Sequence, residues 1–137
     1  MPAEPDCLFC RIVAGEIPAT IVAEDERTIA FMDINPATRG HLLVIPREHA
    51  ADVYAIDPAD LQAVAVAAQR LARRARERLG ANGVNLLNSN GAAAWQTVFH
   101  FHLHVIPRYE GDPLRLPWDP APGDPDEIAA AAARLTA

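Results

Sequence analysis

A chain of 137 residues is long enough to bury one core without disulfide staples and leaves little room for a second domain. Apolar residues make up 50% and charged residues 22%, which excludes a disordered chain. A net charge of −6 argues against a nucleic-acid coat or a polybasic membrane binder, though not against a local site for a small anion.

The start, Met-Pro-Ala-Glu-Pro-Asp, lacks the charged-then-apolar shape of a signal peptide, and no run approaches the ~18 apolar residues of a membrane span. The expectation is a cytoplasmic protein with no membrane and no nucleic-acid polymer as partner. Asp6 is predicted to cap a short helix over 7–14, ended by Gly15. That helix carries both cysteines, Cys7 and Cys10, about one turn apart, so two thiols can reach one ion; a metal or a redox role follows. The redox role would favour a βαβ context, which the pattern lacks.

Strands are predicted over 20–23 and 28–32, with Asp25-Glu26-Arg27 as the turn. Asn35-Pro36 and Arg39-Gly40 mark a loop before a third strand, 41–45, stopped by Pro46. The clearest helix runs from Pro58 to Leu79. Asp57 caps it, Gly80 ends it, and Leu61, Val64, Ala68, Leu71, Ala75 and Leu79 form its apolar stripe. Arg70, Arg73, Arg74, Arg76 and Arg78 read as a solvated basic end. A fourth strand over 84–88, a small-residue loop over 89–95 and a fifth strand over 98–106, stopped by Pro107, follow. Residues 1–112 thus form one domain. Residues 113–137 read as a Pro-rich tail, packed on that domain and ending in a short helix from Asp124-Pro125 to Leu135. Strands and helices do not alternate, so the class is α+β with a mainly antiparallel sheet.

Three of the five histidines fall in His100-Phe-His102-Leu-His104. In a strand they share one face, roughly 6.6 Å apart, with Phe99, Phe101, Leu103 and Val105 on the core side. Three solvent-facing positions would seldom all be histidine by chance. Two chemistries suit them: a catalytic zinc held by three imidazoles, or nucleotidyl transfer through a nucleophilic imidazole.

His100-Phe-His102-Leu-His104-Val-Ile resembles the signature of the histidine triad (HIT) family. Gln96-Thr-Val-Phe99, Gly40-His41-Leu-Leu-Val-Ile-Pro46, Asp33-Ile-Asn-Pro36 and Cys7-Leu-Phe-Cys10…Gly15-Glu-Ile17-Pro18 extend the likeness to its Hint branch, bacterial type. The resemblance implies a five-stranded antiparallel sheet with one long and one or two short helices, pairing into a ten-stranded sheet in a homodimer. It implies a nucleotidyl hydrolase or transferase acting at the α-phosphate of purine nucleotides or their conjugates. His102 would be the nucleophile, His104 and His41 would bind phosphate, and Thr97 and Gln96 would contact the phosphate or help the leaving group. Asp33 would hold the ribose. Leu8, Phe9, Ile12, Ile17, Phe31 and Ile34 would wall the base, with Ser89 nearby in place of the branch's usual Asn. Cys7, Cys10, His49 and His100 would bind a structural zinc, and the chemistry itself would need no cofactor.

Trp95 departs from the resemblance, standing where many relatives have Gly, and it suggests a reshaped or lidded phosphate loop. Alternatives are a dinucleoside polyphosphate hydrolase, a zinc-dependent triad hydrolase and a low-activity nucleotide-binding module.

Overall fold

The computed structural model describes residues 3–137. Among them lie α1 (Leu8–Val13), β1 (Ile21–Glu24), β2 (Thr28–Met32), β3 (Leu42–Pro46), α2 (Pro58–Leu79), β4 (Gly83–Leu87), β5 (Leu103–Arg108) and α3 (Pro125–Thr136). The strands form one antiparallel sheet in the order β1-β2-β3-β5-β4, as the α+β reading expects. No described helix is long and apolar enough to cross a membrane.

Helix α2 has the ends its sequence dictates. The Asp57 carboxylate accepts from the Ala59 N–H at 2.8 Å, and Gly80 closes the helix at φ +72°. Val64, Ala68, Leu71 and Ala75 are buried, while the five arginines face solvent. This stripe packs on one sheet face with Ala30, Val44, Phe101 and Val105. The opposite face carries Ile29, Phe31, Leu43 and Ile45, covered by Phe9 and Ile12 of α1. His104 pairs with Leu43 across β3–β5 and so looks onto this second face.

Three expectations need correction. First, Cys7 rather than Asp6 caps α1, its Sγ accepting from the Cys10 N–H at 3.3 Å. Second, Pro107 lies inside β5 instead of stopping it, while Pro46 is the last residue of β3. The β3–β5 pairing spans only Leu42–Val44 and Leu103–Val105, so each proline has a strand partner on one side alone, where a missing N–H is tolerated. Third, the fifth strand begins at Leu103, not residue 98. Upstream, the chain bends over 98–100 and bonds elsewhere: the Phe101 N–H donates to Ala50 at 2.7 Å. Phe99 is consequently half-exposed rather than in the core, and His100 and His102 are buried.

The start of the tail is pinned by Asp112, which accepts from Arg108 Nε and Nη2 at 2.8 and 2.6 Å. Beyond it, α3 has no buried residue.

Candidate functional site

The loop before β3 places His41. Gly40 sits there at φ +88°, a conformation that strains any residue with a Cβ; such a Cβ would also push on the mobile end of Leu79, approaching Cδ1 to 2.5 Å. His41 Nδ1 accepts from the Ala37 N–H at 3.0 Å. An acceptor nitrogen is unprotonated, so the neutral ring carries its hydrogen on Nε2. That Nε2–H lies 2.9 Å from His104 Nδ1, which must then accept. His104 therefore carries its hydrogen on Nε2. One backbone amide thus fixes the tautomers of two imidazoles in series.

His102 is set separately. Its Nδ1 lies 2.7 Å from the His100 carbonyl, which can only accept, so Nδ1 is protonated and Nε2 keeps a free lone pair. The Phe9 ring stands perpendicular to the His102 ring at 5.1 Å, and the His104 ring lies 5.0 Å away on another side. The Asn88 side chain donates to the His102 carbonyl at 2.9 Å and accepts from Asn90 at 2.6 Å. Asn88 and Asn90 escaped the sequence reading. Their signal was the run of amide side chains in what looked like a loop of small residues.

Burial holds His41, His102 and His104 below the ordinary imidazole range, with His104 at about 4. For His104 the sign is definite. Between about pH 4 and the ordinary value of 6.5 the unfolded chain takes up a proton that the native chain does not. Stability is therefore full above 6.5 and is lost as pH falls through that window. Urea melts across it should show His104→Gln with a shallower decline than wild type; equal slopes would contradict this.

A cavity of about 350 Å³ opens in front of His102 and His104. Leu8, Phe9, Ile12, Ile17, Phe31, Asp33, Ile34 and Thr97 line it, as do Met32, Leu43 and Val98, which the sequence did not single out. An apolar pocket with a few converging polar groups is the usual form of a ligand site. A larger recess, about 530 Å³, lies elsewhere among Arg27, Arg47, Asp57 and Asp60; mixed charges and no nucleophile line it. Asp33 sits at the cavity edge, its Oδ1 accepting from the Asn35 N–H at 2.7 Å and its Oδ2 3.5 Å from His41 Nε2.

Three expected site residues stand back from the cavity: Ser89, Gln96 and His41, the last reaching it only through His104. Ser89 is buried and does not line it. Gln96 is also buried: its Nε2 donates to Ala51 and Val98 and its Oε1 accepts from the Gly91 N–H. It shapes the 91–98 loop from within. In that loop Trp95 takes φ +73°, the single positive φ among described non-glycine residues, and its side chain stays mostly in solvent. Holding a non-glycine residue there costs about 1–2 kcal/mol. Trp95→Gly should therefore stabilise the chain by about 1 kcal/mol after the entropy of glycine is deducted. A chemical melt in which the variant is no more stable would show that the indole compensates.

On the far side of His100 lies a second cluster. His100 Nε2 donates to the Pro46 carbonyl at 2.8 Å, which frees Nδ1. That Nδ1 lies 3.4 Å from Cys7 Sγ and 3.5 Å from Cys10 Sγ; His49 Nδ1 lies 3.3 Å from Cys10 Sγ. A tetrahedral zinc with its usual bond lengths sets sulfur and nitrogen ligands about 3.5 Å apart, so the donor set fits. Burial pushes the Cys10 thiol up, a bias that a bound dication reverses.

His100 thus points away from His102 and His104, and the three triad imidazoles do not converge on one ion. Asp33, His41 and His104 also come within 4.8 Å of one another. The hydrogen on His41 Nε2 makes that group a hydrogen-bond relay rather than a ligand set.

The HIT-domain profile matches residues 14–111. "Protein hit" of Bacillus subtilis is 40% identical over all of this chain and 99% of its own length. "Adenosine 5'-monophosphoramidase hnt1" of Schizosaccharomyces pombe is 38% identical, covering 90% of this chain and 91% of itself. Among solved structures, a zinc-bound histidine triad family protein from Mycobacterium smegmatis superposes with TM-score 0.78 at 46% identity, over 96% of each chain.

Proposed function

The chain belongs to the HIT family, and from that premise we propose that it is a nucleotidyl hydrolase of the nucleoside phosphoramidase type, releasing a purine nucleoside monophosphate through a nucleotidyl-His102 intermediate. The observation that carries the proposal is the free Nε2 lone pair of His102, aimed by a backbone carbonyl and kept neutral by burial.

The base enters the apolar wall formed by Phe9, Ile12, Phe31 and Ile34, and Asp33 accepts from the ribose hydroxyls. His102 Nε2 attacks the α-phosphorus; the P–N bond to the leaving amine breaks, and the amine departs with a proton. His104, with its hydrogen on Nε2 through the relay from Ala37, donates to the phosphate oxygens, and Thr97 is a second donor at the cavity wall. Water then attacks phosphorus and gives a proton to solvent, replacing the one the amine took from solvent, and the P–N bond to His102 breaks to release the monophosphate. Two neutral donors at fixed positions, His104 and Thr97, serve this anion despite the overall negative charge.

Cys7, Cys10, His49 and His100 would hold a zinc that stabilises the fold and takes no part in the bond changes. The chain acts as a cytoplasmic homodimer. Its support is the open edge of β4, where Val84, Leu86 and Leu87 are exposed.

Comparing turnover of an adenosine phosphoramidate and a diadenosine polyphosphate tests the substrate class. The phosphoramidate should be preferred by at least tenfold in kcat/KM; the opposite preference would make the chain a dinucleoside polyphosphate hydrolase.

A further inference from the structure

His100 is fully buried and performs two tasks at once. Its ring presents Nδ1 to the two cysteine sulfurs, and its carbonyl receives the Nδ1–H of His102 at 2.7 Å. The metal donor set and the orientation of the nucleophile therefore share a single residue. Helix α1 forms a second link. It is six residues long, too short to persist without tertiary anchors. Cys10 lies within it and Cys7 caps it, so two of the four metal donors are its anchors. The same helix sends Phe9 against the His102 ring and, with Leu8 and Ile12, walls the cavity.

We propose that the Cys7–Cys10–His49–His100 centre is a positioning device for the nucleotide site: metal held there fixes α1 against His102 and fixes the carbonyl that orients it. The four ligands act through Phe9 and His100, without touching substrate. The coupling is reciprocal, so a nucleotide in the cavity must be felt at the metal. A metal that served stability alone would be blind to it. This inference rests on the nucleotide-binding reading of the cavity.

Cobalt(II) substituted into the full chain gives the test, because its thiolate charge-transfer and ligand-field bands report the geometry of the centre in a protein that stays folded throughout. Saturating AMP, with binding followed by calorimetry on the same sample, should shift those bands. Phe9→Leu keeps all four ligands; it should still bind one cobalt per chain and lose at least half of the shift at saturating AMP. Unchanged bands with AMP bound would overturn the coupling alone. A full shift retained in Phe9→Leu would overturn the route through α1 and the inference as stated. Failure of AMP to bind the wild-type metal-loaded chain would overturn the nucleotide reading and this inference with it.

Discussion

Replacing His102 with alanine should lower nucleotidyl transfer by at least about 10⁴-fold, the scale seen when a covalent nucleophile is deleted. The reason is specific to this imidazole. Among the described histidines, only His102 combines a lone pair on Nε2, a protonated Nδ1 anchored on a carbonyl and a place in the cavity wall. His104 cannot substitute, because its Nδ1 is occupied by the His41 hydrogen and its Nε2 is protonated. His41 stands behind His104, outside the cavity lining. The variant should still bind AMP, since Asp33 and the apolar wall are untouched. Circular dichroism would establish that the 102 position tolerates the smaller side chain. A folded His102→Ala chain with a rate within tenfold of wild type would contradict the assignment.

Removing the metal should have the largest effect on stability. A ligand present at a thousandfold its dissociation constant stabilises the native state by about 4 kcal/mol. On a domain of this size that corresponds to a fall in Tm of about 10–15 °C. The loss reaches both sheet faces: α1 loses its anchors, and His49 and His100 no longer join the segment after β3 to the segment before β5. Cys10→Ser should show the lower Tm outright and become insensitive to chelator, while wild type should fall to it on chelation. Equal melting of the wild type with and without chelator, at one bound zinc per chain beforehand, would contradict a stabilising centre.

What could be read from the chain depended on whether the signal was local. Helix α2 was legible to the residue because Asp57-Pro58 and Gly80 mark its ends chemically and its stripe repeats over six turns. Strand β2 was equally clear. Pro107 misled, because whether a proline stops a strand depends on where the neighbouring strand ends, and that is a property of register. The same holds for Phe99, assigned to the core by an alternation that begins only at Leu103.

At the site, the residue types were visible but their wiring was not. His41 could be named from the family likeness; its dependence on the Ala37 amide could not, because a backbone N–H leaves no mark in sequence. Gln96 was assigned to the phosphate side; its side chain bonds Gly91 and Val98 of the loop that carries Thr97 and ties that loop to the Ala51 carbonyl. Cys7 and Cys10 announced a metal by spacing. His49 and His100, 39 and 90 residues beyond Cys10, could be named only from the family likeness; the fold brings their Nδ1 atoms within 3.3–3.5 Å of the sulfurs.

The central claim is that phosphorus is transferred to His102. Acid quench of the zinc-loaded chain during turnover of an adenosine phosphoramidate, followed by peptide mass spectrometry, tests it most directly. An adenylyl group on the peptide bearing His102, absent from His102→Ala, is the predicted result. Sustained AMP release with no adenylylated histidine at any time during turnover would contradict it.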